Sequence, residues 1–290
     1  MISIAFLVVF LEIACLLLGG FAAPTGMIDT SGIDQPVILL PDSAVSAYKP
    51  FVYLAGAGYC PLSPASWSCG MYCNGVPDFQ LSAQGGDGGA NPYWYVGHSA
   101  ELKTIVVGYQ GTNSSNRLSV QHNVNFVRKT LPQDFFPGAP SSVTVHSGIL
   151  DAHLLSATSV LNAVTGLLKS TGSSQVVLVG HSLGAALATL SGIHLQVWLR
   201  SNVRIKVIGF ATPRIGNSAF ADLADARLSD IYRVNNKRDY VPIIPGRFLG
   251  YTHTKGEIHI SDESQWYFCP GRENSEANCT LSSVPNVLAG

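Results

Sequence analysis

The sequence predicts an α/β fold, a mostly parallel central sheet with helices on both faces. Three observations point there. Short apolar β-branched runs alternate with segments of helical periodicity, which is the pattern of a sheet covered on both sides. Of the 290 residues, 47% are hydrophobic and 12% charged, a balance that excludes intrinsic disorder. The length suits one large domain, and neither an internal repeat nor a linker divides it.

Residues 1–23 read as a signal peptide. Ile4 to Leu18 is apolar apart from Glu12, and Gly19, Gly20, Ala22 and Ala23 follow. The run is too short for a bilayer core of about 30 Å. An uncleaved membrane anchor is the alternative, since no Lys or Arg precedes the run. Cleavage removes Glu12 and Cys15 and leaves 17 basic and 17 acidic residues. With no later spanning run, the mature chain, residues 24–290, is expected to be a secreted single domain without an integral membrane span.

Ser43 to Tyr59 suggests a helix, with Val45, Tyr48, Val52 and Ala55 on one face despite Pro50. Cys60 to Ala90 is too rich in turn formers for a regular element. Tyr93–Gly97 and Thr104–Tyr109 read as paired strands joined around His98-Ser99. Leu150, Leu154, Ala157, Leu161, Val164 and Leu168 step by fours and threes along a helix that Gly172 stops. Val176–Val179 is a buried strand, and a helix from about Leu183 to Arg200 follows it. Strands at Ile205–Phe210 and Ile231–Val234 flank a helical stretch around Phe220 to Leu228.

A near-neutral chain with no basic cluster excludes nucleic-acid binding. Cys60, Cys69, Cys73, Cys269 and Cys279 lack zinc-ligand spacing and histidine neighbours, so no metal and no cofactor is expected. Their number is odd, and in an oxidising compartment one thiol is left without a partner. The sequons at Asn113 and Asn278 are candidate glycosylation sites.

The chemistry concentrates in Val176-Val-Leu-Val-Gly-His-Ser182-Leu-Gly184. A buried strand, a Gly-x-Ser-x-Gly turn and a helix of small residues make a nucleophile elbow. Gly180 and Gly184 permit the sharp turn, and Ser182 Oγ projects from the C-terminal edge of the sheet. An α/β-hydrolase places its acid after the Ser and its base after the acid. Asp239 lies on the loop leaving the strand Ile231–Asn235. Asp222, Asp225 and Asp230 compete with it but fall on a helical stretch or before a strand.

Taken together, Ala57–Cys60, Val107–Thr112, Val145–Ile149, Gly180–Gly184, Phe210–Asn217 and Asn236–Pro242 resemble the class 3 lipase family, the fungal-type triacylglycerol lipases and feruloyl esterases. The resemblance implies an α/β-hydrolase fold and a secreted serine carboxylic-ester hydrolase working through an acyl-enzyme on Ser182, with Asp239 as triad acid. It implies an oxyanion hole from the N–H groups of Thr112 and Leu183. It also implies disulfides Cys69–Cys73 and Cys269–Cys279, with Cys60 left over, and a lid at Asn113–Asn125. That lid holds only Leu118, Val120 and Val124 as apolar residues, little surface for docking at a lipid–water interface. The expected partner is a lipid or other ester substrate, and the expected state a monomer.

The base is the open member. His181 adjoins the nucleophile, and His98, His122, His146, His153 and His194 precede Asp239. Of the two that follow, His253 matches a family histidine not used as base, and His259 lies on a strand. His259 is the candidate within the chain, with His253 as the alternative. The family's own histidine comes beyond a cysteine pair like Cys269 and Cys279, so the domain is expected to lack its C-terminal end. The alternative function is a catalytically impaired lipase-fold protein.

Overall fold

A computed structural model of the chain describes residues 36–60, 67–112 and 126–287. The signal segment, the lid loop and Asn113 lie outside the described residues.

Strand β1 (Ile38–Leu39) precedes two short helices, α1 (Asp42–Ser46) and α2 (Lys49–Ala57). The sequence suggested one helix here, and Pro50 divides it. Inside a continuous helix its ring would strike the carbonyl of Ser46, whereas in the first turn of α2 its missing N–H costs nothing.

Helix α3 (Met71–Asn74) leads to β2 (Gln80–Gly85), a strand inside the stretch expected to be all turns. It is a polar, half-exposed edge strand without the apolar alternation that marks an inner one. Strands β3 (Trp94–Ser99) and β4 (Thr104–Tyr109) form the expected antiparallel pair. His98 and Ser99 belong to β3 rather than to the turn, which falls at 100–103 and closes on Lys103 with φ 52°.

A small ribbon of β5 (Arg128–Thr130) and β6 (Thr144–His146) precedes helix α4 (Ser147–Thr171). Gly172 ends α4 in the left-handed conformation, φ 68°, which glycine adopts without the cost of a Cβ. Then come β7 (Gln175–His181), α5 (Leu183–Trp198), β8 (Arg204–Phe210), α6 (Ser218–Arg227) and β9 (Asp230–Asn236). Strands β10 (Glu257–Ile260) and β11 (Trp266–Cys269) and the short helix α7 (Thr280–Ser283) complete the described chain.

Among the described residues the main sheet runs β1-β11-β10-β9-β8-β7-β4-β3-β2, and β4, β7, β8, β9 and β10 are parallel. Val176 and Leu178 of β7 pack with α4, α5 and α6, while Val177 and Val179 pack with α2 on the other face. Both faces are covered, so the strand reads as a continuous apolar run. Each such side chain contributes about 1.5–3 kcal/mol on burial. This packing fixes the sheet's C-terminal edge, where the chemistry sits. No helix among the described residues is long and apolar enough to cross a membrane.

Candidate active site

Ser182 sits between the last residue of β7 and the first of α5. Its backbone is at φ 55° and ψ −125°, a region that costs a non-glycine residue on the order of 1–3 kcal/mol and persists only where the surroundings enforce it. Here the enforcement is backbone against backbone. Ser182 N–H donates to Phe210 O at 2.9 Å, and Ser182 O accepts from Ala185 N and Ala186 N.

Neither glycine of the elbow has room for a Cβ. One at Gly180 would lie 2.3 Å from the Gly184 backbone, and one at Gly184 would lie 2.3 Å from Tyr109 O. One at Gly111 would lie 2.4 Å from His181 O. The segment after β4 is thereby pressed on the elbow at Gly111, next to Thr112 in the chain, and Leu183 is the buried first residue of α5. The positive end of α5 adds to the field that an oxyanion would meet there.

Tyr59 ties these pieces together. Its hydroxyl lies 2.7 Å from His181 Nδ1 and would strike a Cβ on Gly111 at 2.1 Å. Burial pushes its pKa up to about 12, so it stays a neutral phenol. Sequence reasoning passed over Tyr59, although it stands inside the quoted Ala57–Cys60 motif.

Asp239 begins the turn that leaves β9. Its N–H donates to Asn236 O at 3.1 Å, and its Oδ1 accepts from Val241 N at 2.9 Å, opening the 3₁₀ turn Val241–Ile243. Burial lowers the pKa of His181, and the charge of Asp239 opposes that shift. The competing acids are engaged elsewhere. Arg272 binds Asp222 at 2.7 Å and Asp225 at 2.6 Å, and Asp230 opens β9.

The histidines divide by environment. His146 caps α4, its Nδ1 accepting from Gly148 N at 3.1 Å. His153 and His194 are buried between α4 and α5 against Phe136. His253 places Nε2 2.5 Å from Pro242 O. His259, the candidate base, places Nδ1 2.8 Å from Asn278 O and Nε2 2.8 Å from Lys237 O, between the loop before α7 and the turn after β9. Since a carbonyl only accepts, a neutral ring donates to one of the two. Among the described residues Ser182 Oγ makes no hydrogen bond to a histidine.

Disulfides join Cys69 to Cys73 and Cys269 to Cys279, with Cα separations of 5.1 and 6.0 Å, and Cys60 is a free thiol. Glu257 lies beside the second disulfide, but both sulfurs there are bonded to each other. Its carboxylate accepts from Thr280 N and pairs with Arg233, so this cluster does not fit a metal ion. Asn278 is exposed, with φ 70°.

The family profile "Lipase (class 3)" matches residues 106–249, a span holding Thr112, Ser182 and Asp239. The secreted mono- and diacylglycerol lipase MDL3 of Malassezia globosa is 30% identical over 251 residues, 86% of this chain and 80% of that one. A fungal lipase–inhibitor complex, solved as a model for interfacial activation, superposes with a TM-score of 0.76 at 26% identity, covering 88% of this chain and 95% of that one. A triacylglycerol lipase whose catalytic centre is a serine-protease triad superposes at 0.75 with 24% identity and the same coverage, which speaks to the fold. With the elbow and its flanking motifs in the family's order, the chain belongs to the class 3 lipases.

Proposed function

We propose that this secreted ester hydrolase cleaves acylglycerol esters by attack of Ser182 Oγ on the acyl carbonyl. The observation that carries the reading is the enforced backbone of Ser182 at the junction of β7 and α5. The N–H groups of Thr112 and Leu183 receive the oxyanion, each worth about 2.7–4 kcal/mol to the transition state. Collapse expels the alcohol, which takes up the serine proton from the base, and water then releases the acid from the acyl-enzyme. Asp239 orients the base and stabilises its imidazolium.

The base is a histidine, and of the two that follow Asp239 both His253 and His259 lie against backbone carbonyls. His259→Gln should therefore react with a fluorophosphonate at Ser182 as fast as the parent chain. Slower labelling in that variant would make His259 the base.

The acylglycerol substrate follows the named activity of the Malassezia relative. The substrate is met at a lipid–water interface. Phe248 is 89% exposed, and Phe126, Val127 and Tyr240 are also exposed. Arg128, by donating to Leu249 O, and Tyr251, by donating to Phe126 O, hold these two segments side by side. The chain acts as a monomer. Both sheet edges are blunted, β1 by its two-residue length and β2 by a register shift between Leu81 and Ala83, which discourages pairing with a second copy. Residues 1–23 direct secretion, and Asn113 and Asn278 carry glycans.

The deciding experiment is kinetic. Ser182→Ala should abolish ester hydrolysis, and Asp239→Asn should lower kcat by about 10⁴ as the imidazole loses its tautomer. Wild-type kcat in Asp239→Asn, with loss in Asp222→Asn or Asp230→Asn, would move the acid elsewhere.

A further inference from the structure

Two residues from distant parts of the chain grip the loop that follows Asp239, and a third holds them. Arg214 is 2% exposed. Its Nη1 donates to the carbonyls of Ile243 and, at 3.0 Å, of Pro245. Its backbone N–H donates to Ile244 O at 2.8 Å. His253 Nε2 takes Pro242 O, and since a carbonyl only accepts, that nitrogen carries the proton. Four consecutive carbonyls, 242 to 245, are thus held by two residues.

Glu273 holds both of them. Its carboxylate accepts from Nε and Nη2 of Arg214, each at 2.7 Å, and from the backbone N–H of His253 at 2.8 Å. Burial pushes Glu273 up, but the Arg214 hydrogen bonds and the His253 and Arg214 interactions outweigh it and hold it at about 2. Burial and the charge of Arg233 push His253 well down, which keeps its ring neutral. Glu273 itself lies in the loop closed by Cys269–Cys279.

A buried ion pair is weak evidence for stability, since an apolar trio of similar volume would often serve as well. What apolar side chains cannot do is bind the carbonyls of a turn that neither helix nor sheet satisfies. The other end of that turn is Asp239, whose Oδ1 holds Val241 N, while Ile243 N and Ile244 N donate to Tyr240 O and Val241 O. We propose that Arg214, Glu273 and His253 are positioning residues for the triad acid, a cradle that fixes Asp239 through residues 241–245. The proposal rests on Asp239 being that acid.

The test is a double-mutant cycle on the complete secreted protein, reading kcat and KM for a soluble p-nitrophenyl ester. Glu273→Gln and Arg214→Lys should each lower kcat by at least about 10-fold while KM stays within about 3-fold. In an Asp239→Asn background the same changes should cost less than about 2-fold, because the acid through which they act is already disabled. Equal losses in both backgrounds, or no loss in the wild type, would overturn the cradle while leaving Asp239 as the acid. Wild-type kcat in Asp239→Asn alone would overturn the acid assignment, and the cradle with it. If neither cradle variant folds, hydrogen exchange of the native protein decides. The amides of Val241, Ile243 and Ile244 should then exchange as slowly as those of α5, and exchange within seconds overturns the proposal.

Discussion

Ser182 and Asp239, the proposed nucleophile and acid, stand on the same edge of the sheet and are held there by different means. Ser182 is fixed by backbone packed on backbone: Gly180 against Gly184, Gly184 against Tyr109, and Gly111 against His181. The turn after Asp239 is held by the buried side chains of Arg214 and His253, which Glu273 in turn holds. The first arrangement fails by steric collision. The second fails when a hydrogen bond or a charge is lost.

The sharpest way to break the contrast is at the elbow. Gly184→Ala puts a Cβ 2.3 Å from Tyr109 O, an atom of β4 that cannot rotate away. Overpacking usually costs about 1–3 kcal/mol where side chains yield, and here the obstacle is backbone, so the loss should exceed about 3 kcal/mol. The oxyanion donors shift with it, and kcat should fall more than about 100-fold. Urea unfolding and ester kinetics measure both. Near-wild-type values would mean that the elbow tolerates displacement of α5, and the contrast would fail.

How far the sequence could be read follows the same division. The elbow was legible because strand, turn and helix occupy one continuous stretch, and the glycines mark where the backbone must come close. The position of Asp239, in the turn after β9, was legible from the apolar strand before it. Glu273 was not, since it reaches Arg214 across 59 residues and nothing local in its loop signals a buried carboxylate. Arg214 gave one clue, a cation inside the otherwise uncharged motif Phe210–Asn217. His259 was read from chain order alone, which says nothing of its neighbours, two carbonyl oxygens. The edge strands β1 and β2 escaped notice because an edge, with fewer neighbours, imposes a weaker pattern.

Acid pH should separate the two regions in a second, smaller way. Beneath the elbow, burial lowers His153 to about 3, with the His194 charge adding to the effect, and lowers His194 to about 4. Both stay neutral in the fold among Phe135, Phe136 and Trp198. A depressed histidine leaves stability whole above its unfolded value near 6.5 and removes it as pH falls from there toward the folded value. Glu273 behaves likewise but lower, its contribution intact above about 4.5 and lost as pH falls toward about 2. The interval from pH 6.5 to 4.5 therefore reports the depressed histidines, His253 of the cradle among them, and leaves Glu273 ionised. Each group contributes about 1.4 kcal/mol per pH unit, or about 2 kcal/mol between pH 7 and pH 5. His194→Phe should flatten the urea-midpoint profile across that interval by about one group's share. An unchanged slope would show that His194 is not buried neutral, and the acid sensitivity would then belong elsewhere.

The smallest effect is expected beside Asp239 itself. Arg238 pairs with Asp262 at 2.9 Å, nearly the distance of the Arg214–Glu273 pair at 2.7 Å. The two differ in surroundings: the side chains of the first are 64% and 49% exposed, those of the second 2% and 13%. Water screens the surface pair, and ordering two long side chains offsets most of what attraction remains, so such pairs are worth about 0–1 kcal/mol. Arg238→Ala should therefore change the urea midpoint only slightly and leave kcat within about 2-fold, even though it removes a charge adjacent to the acid. If acid placement depended on neighbouring charge in the sequence, this variant would lose activity as Glu273→Gln does. A large loss at Arg238 with none at Glu273 would reverse the assignment, making the exposed side of the turn its anchor and the buried cradle a bystander.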